Sequence, residues 1–218
     1  MRRLLIPSPF VGAVTWEPVC QARPDSVVVD LGRLPGQDVY GEVAERVAEI
    51  AGQDDCIAVL HSSAGSFAPA LFPRVAGLRG LVFVDAVLPH PGRAVIDISP
   101  PEQIDHLRQL SVAGRIAPWN QWFAKDPTEG WIPDARMRNR FLADLPQAPL
   151  SVLEAPAPAS DLWAGVSCAF VRLSRGYEAN ALRAEAMGWP VRRADLTHLS
   201  MFTHPGEVAR LLDGLPFA

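Results

Sequence analysis

Residues 56–71 read CIAVLHSSAGSFAPAL, and this stretch decides the fold. Residues 56–60 form a short apolar run of the kind that makes a buried strand. His61-Ser62-Ser63-Ala64-Gly65 follows as a bend of small residues, and a helical pattern begins at Phe67. A strand, a tight turn and a helix in that order place a serine hydroxyl at the carboxyl end of a sheet, over a helix N-terminus. Backbone N–H groups there have no intrahelical acceptor and can meet developing negative charge. The small residues are needed because the strand and helix backbones approach closely at such a bend.

The same alternation extends outward in both directions. Residues 4–6 and 27–29 are short apolar runs bounded by turn residues, as expected of parallel strands buried on both faces, and 81–84, 168–173 and 191–194 continue the pattern as strands. Val39, Val43, Val47 and Ile50 recur at helical spacing, with Glu42, Glu45, Arg46 and Glu49 on the opposite face. Residues 67–75, 179–187 and 208–212 are further helices. Strict alternation predicts an α/β domain spanning 1–218, with a mostly parallel sheet of about six strands and helices on both faces. Because Leu4 already belongs to a parallel strand, no antiparallel hairpin opens the sheet.

One stretch, about 89–162, breaks the pattern. It is dense in proline and carries Trp119, Trp122 and Trp131, with Trp163 just beyond. A segment of that length without strand signal reads as an inserted cap or lid.

Composition narrows the partners. The chain has 218 residues, 49% of them hydrophobic, and its 20 basic and 24 acidic side chains give a net charge of −4 with no basic cluster. This points away from nucleic acid and membrane surfaces and toward a small-molecule substrate, and leaves the oligomeric state open. Three scattered cysteines, Cys20, Cys56 and Cys168, form no disulfide framework. The N-terminal apolar run is cut by Pro7 and Pro9, well short of a signal-peptide core, so a cytoplasmic location is expected. His61, His90, His106, His198 and His204 lack the paired spacing of a metal site, and no dinucleotide fingerprint is present. No metal or cofactor is expected.

HSSAG resembles the nucleophile elbow of the α/β-hydrolase superfamily, in particular its small-cap branch of esterases and hydroxynitrile lyases. That resemblance makes Ser62 the nucleophile and gives Ser63 an oxyanion N–H. A competing frame makes Ser63 the nucleophile but puts His61 where a small residue belongs. The loop carrying Asp195-Leu196-Thr197-His198 follows the last strand and is similar to the superfamily's histidine loop, which implies His198 as general base. The acid usually follows the penultimate strand, where this chain has Glu178. Asp85, ending the strand after the elbow helix, is the alternative.

The superfamily's first strand normally ends in a His-Gly loop that donates the second oxyanion N–H, with a tryptophan a few residues on. Trp16 matches, but Pro7-Ser8 falls at the His-Gly position and Pro9 at the donor, and proline has no N–H. Phe10 or Val11 is then the expected donor. Trp119 and Trp122 are expected to line an apolar substrate pocket. The resemblance implies a serine hydrolase of a small or medium-sized ester, thioester or lactone. The Pro-rich first loop keeps open a lyase, cyclase or dehydratase that uses Ser62 and His198 for proton transfer, as well as a non-catalytic binding relative.

Overall fold

The computed structural model describes residues 1–160 and 165–217. Trp163 and the expected cap boundary at Leu162 lie outside the described residues. The chain begins β1 (Arg2–Ile6), α1 (Glu17–Ala22), β2 (Ser26–Val28), α2 (Val39–Ala51), β3 (Cys56–His61), α3 (Ala68–Leu71) and β4 (Leu78–Val84). The segment that follows holds α4 (Pro101–Gln109), β5 (Ser111–Val112), β6 (Arg115–Ile116), α5 (Thr128–Trp131), α6 (Ala135–Ala143) and α7 (Ser151–Glu154). The chain then returns as β7 (Ser167–Arg172), α8 (Glu178–Ala186), β8 (Val191–Arg193), α9 (Ser200–Thr203) and α10 (Pro205–Asp213).

Six strands form one parallel sheet in the order β2-β1-β3-β4-β7-β8. Its period of two sorts the core into layers. Leu4, Ile6, Ala58, Leu60, Phe83 and Phe170 face α2, α3 and α8, while Leu5, Val59, Val82, Val84 and Val171 face α1, α9 and α10. Both faces are covered, so the central strands β3 and β4 are almost wholly buried, while the edge strand β8 carries the exposed Arg192 and Arg193.

Two local expectations are corrected. The helix expected over 67–75 is instead a 3₁₀ turn, Ser62–Phe67, followed by the one-turn α3. Pro69 sits in the first turn of α3 and Pro73 just beyond it; neither has an N–H to extend a helix ladder. The segment between β4 and β7, read as free of strands, contains the antiparallel hairpin β5–β6. Ala113 (φ 49°) and Gly114 (φ 74°) both take positive φ at its two-residue turn, the backbone a type I′ hairpin demands. Among the described residues, no helix is long and apolar enough to cross a membrane.

Candidate active site

Ser62 is the first residue after β3 and adopts φ 57°, in the left-handed region that a non-glycine residue occupies at a cost of about 1–3 kcal/mol. The surrounding structure holds it there. The Ser62 carbonyl accepts from Val87 N–H at 3.1 Å, and Ala64 behind it is fully buried. A Cβ on Gly65 would sit 2.0 Å from the Val87 carbonyl oxygen, so only glycine allows the turn to pack against the strand beyond. Ser63 follows in the first turn, where its N–H has no intrahelical acceptor, and its side chain borders the same cavity as Ser62.

Asp85 ends β4, also at positive φ (41°), and is completely buried. Its Oδ1 accepts from Leu173 N–H at 2.6 Å, and its Oδ2 accepts from Ser174 N–H at 3.0 Å and from the Ser174 hydroxyl at 2.6 Å. Oδ2 also lies 3.2 Å from His198 Nδ1. An ionised carboxylate can only accept, so Nδ1 carries the proton and Nε2 is left as the basic nitrogen of the neutral ring.

Glu178, the residue expected at this role, stands elsewhere. As the first residue of α8, it accepts from Arg172 Nε at 2.9 Å and Arg193 Nε at 3.0 Å, with its side chain 39% exposed. Arg172 is nearly buried at the end of β7, and a buried guanidinium needs carboxylates; Glu178 and Asp195 supply them. The carboxylate beside His198 is Asp85, the alternative, which follows the strand paired with the one that leads to Ser62.

His198 lies in the loop after β8. Its carbonyl accepts from His61 Nε2–H at 3.1 Å, and the two rings approach to 4.5 Å. His61, at the end of β3, is fully buried. Burial, reinforced by His198, holds its imidazole well below the ordinary range, so it stays neutral. Trp16 packs edge-on against His61 at 6.2 Å. His61 and Trp16 thus form a floor beneath the histidine loop. His204 directly precedes α10, with its Nδ1 2.9 Å from the Thr203 hydroxyl and its side chain making no cap bond.

The first loop differs from expectation. Phe10 N–H donates to Ser8 Oγ at 3.3 Å, and Val11 N–H donates to the Ser8 carbonyl at 3.1 Å. Both amides expected as oxyanion donors are therefore engaged within the loop. Ser8 Oγ accepts in the first of these bonds and keeps its own proton for another acceptor, and it borders the cavity with Ser62 and Ser63. Gly12 brings this loop against α6's end, where a Cβ would meet the Asp144 carboxylate at 1.9 Å and Val14 N–H donates to Asp144 Oδ2 at 2.9 Å.

Tyr177, which the sequence reading did not single out, also borders this space. Its hydroxyl lies 3.3 Å from Ser62 Oγ, and its ring stacks on His198 at 4.9 Å and 6°. Among the described residues, no hydrogen bond joins Ser62 to His198; the serine hydroxyl faces the phenol.

Ser8, Ser62, Ser63, Tyr177 and His198 border a cavity of about 540 Å³ whose far wall is aromatic. Phe10 meets Trp122 edge-on at 4.7 Å, and Trp119 packs against Trp131 at 5.7 Å, so Trp119 and Trp122 line the pocket as expected. A larger cavity of about 630 Å³ opens beside Arg33 and Arg115, but Ser62 and His198 border only the smaller one. The chemistry therefore points to the smaller cavity.

These features define an α/β-hydrolase fold. No protein-family model and no curated protein sequence matches the chain. Solved structures do. An extracellular α/β-hydrolase from a Paenibacillus species, described as sharing structural and functional homology with tobacco salicylic acid binding protein 2, aligns with TM-score 0.74 at 16% identity over 97% of both chains. A variant of tomato methylketone synthase I aligns with TM-score 0.71 at 14% identity, over 97% of this chain and 96% of that one. A pyrethroid hydrolase from Sphingobium faniae aligns with TM-score 0.69 at 16% identity, over 98% and 96%.

Proposed function

We propose that this chain is a serine hydrolase of small or medium-sized esters, with Ser62 as nucleophile, His198 as general base and Asp85 as the acid that fixes its tautomer. One observation carries the reading: a strained serine and His198 border one aromatic cavity, and buried Asp85, just past the strand next to the serine's, lies 3.2 Å from His198 Nδ1. His198 Nε2 takes the Ser62 proton once the serine turns from Tyr177, and Asp85 stabilises the imidazolium. The Ser63 N–H and the Ser8 hydroxyl receive the oxyanion. The segment between β4 and β7 acts as a cap whose tryptophans hold the acyl or ring portion of the substrate.

Treating the purified protein with a fluorophosphonate tests this reading. Labelling is expected in the wild type and in Ser63→Ala, and is expected to vanish in Ser62→Ala. A wild type that stays unlabelled at every serine overturns it. The engaged Phe10 and Val11 amides favour one second reading, a lyase in which Ser62 and His198 only move protons. Rapid trapping with an ester substrate separates the two, because only the hydrolase acylates Ser62.

A further inference from the structure

Tyr177 touches both reacting groups of the site just described, and no step above uses its hydroxyl. The sheet order puts β1 on one side of β3 and puts β4 and β7 on the other. The oxyanion donor Ser8 follows β1, whereas Tyr177 and the loop that holds Asp85 follow β7. Tyr177 and His198 therefore flank Ser62 on the side away from the oxyanion. Because the general acid must reach the departing atom, that side is where the leaving group sits.

We propose that Tyr177 is a catalytic residue whose hydroxyl donates a hydrogen bond to the leaving-group oxygen, making this a site for oxygen esters rather than thioesters. The inference rests on the serine-hydrolase reading. In the resting site the phenol is paired with Ser62 at 3.3 Å. Ser62 then turns to His198, and its Oγ adds to the carbonyl carbon as its proton passes to Nε2 and the carbonyl electron pair moves onto the oxyanion. That rotation frees the phenol. Collapse of the intermediate breaks the bond from the carbonyl carbon to the leaving oxygen. His198 Nε2 gives that oxygen its proton, and Tyr177 donates to the same atom while keeping its own. Burial raises the phenol to about 12, so it remains a neutral donor at ordinary pH. Sulfur accepts such a bond weakly, whereas a departing alkoxide gains most from it.

The test compares Tyr177→Phe with wild type on methyl butyrate and p-nitrophenyl butyrate, reading kcat/KM, which reports acylation. Phenylalanine keeps the ring stacked on His198 and removes only the hydroxyl. The expected loss is about tenfold or more on the methyl ester, against less than about threefold on the p-nitrophenyl ester, whose anion leaves readily. A purely structural role lowers both alike. Equal losses, or no loss on the methyl ester, in a protein whose Ser62 still labels with fluorophosphonate overturn this inference alone. If the wild type does not label, the parent reading falls and this one falls with it.

Discussion

Exchanging Asp85 for asparagine tests which carboxylate serves His198. The asparagine oxygen can still accept from Leu173 N–H, as Oδ1 does at 2.6 Å. Its amide nitrogen then replaces Oδ2, which now faces His198 Nδ1 at 3.2 Å and the Ser174 hydroxyl at 2.6 Å. An N–H donor opposite Nδ1 forces the ring into the tautomer with its proton on Nε2, where it cannot accept from Ser62. In Ser-His-Asp enzymes this exchange costs about 10⁴ in rate, or about 5.4 kcal/mol of barrier. The lost charge-assisted bonds cost about 1–3 kcal/mol of stability, which for a chain of this size lowers Tm by roughly 2–12 °C. Glu178→Gln, by contrast, weakens two ion pairs on a carboxylate that is 39% exposed, worth at most about 1 kcal/mol, and is expected to leave kcat/KM within about threefold. Both variants are assayed for p-nitrophenyl ester hydrolysis and for melting. If Asp85→Asn stays within tenfold of wild type while Glu178→Gln falls by 10³ or more, the assignment of the acid is wrong.

Two further expectations concern the loops on either side. Ser8→Ala removes an oxyanion donor while leaving the first loop's Val11 N–H bond in place, so kcat/KM is expected to fall about 10²-fold and Ser8→Thr to recover most of it; an alanine variant within threefold of wild type assigns the oxyanion to another donor. His61 is neutral in the folded chain because its imidazole is held well below the ordinary 6.5, so the unfolded state binds the extra proton as pH falls below that value. Stability therefore drops on acidification below about pH 6.5, by up to about 1.4 kcal/mol per pH unit from this residue. Urea midpoints at pH 7, 6 and 5 are expected to fall more steeply for wild type than for His61→Gln, and parallel curves for the two proteins refute the assignment.

The sheet was legible because parallel strands covered on both faces are apolar through their buried middles, as Leu4–Ile6, Cys56–Leu60, Leu81–Val84 and Cys168–Val171 are. The elbow was legible for a related reason: the close approach at Gly65 admits no side chain, and such a constraint leaves its mark in the residue types. What escaped lacked a comparable mark. The strands β5 and β6 have two residues each, too few for any period to emerge. Glu178 was preferred to Asp85 because both follow strands of the sheet, and only the packing reveals that buried Arg172 pairs with Glu178 while Asp85 lies beside His198. Tyr177 ends a three-residue 3₁₀ turn, where an aromatic residue carries no periodic signal, and its contacts with Ser62 and His198 appear only in the folded chain. That Pro9 has no N–H to donate is plain from the residue type, but the bonds that occupy Phe10 and Val11 are invisible without coordinates.

The placement of Asp85 has a mechanical consequence. His61 and Val84 are paired across β3 and β4, and Ser62 and Asp85 are the next residues on each strand. Their separation is therefore set by the spacing of two hydrogen-bonded strands, among the stiffest gauges a protein possesses. Of the three groups, only His198 rides on a loop. On the proposed reading, alignment of the triad reduces to one moving part clamped between two fixed ones, and the loop after β7, which would not bear the acid, is free to vary the residue it presents to the cavity.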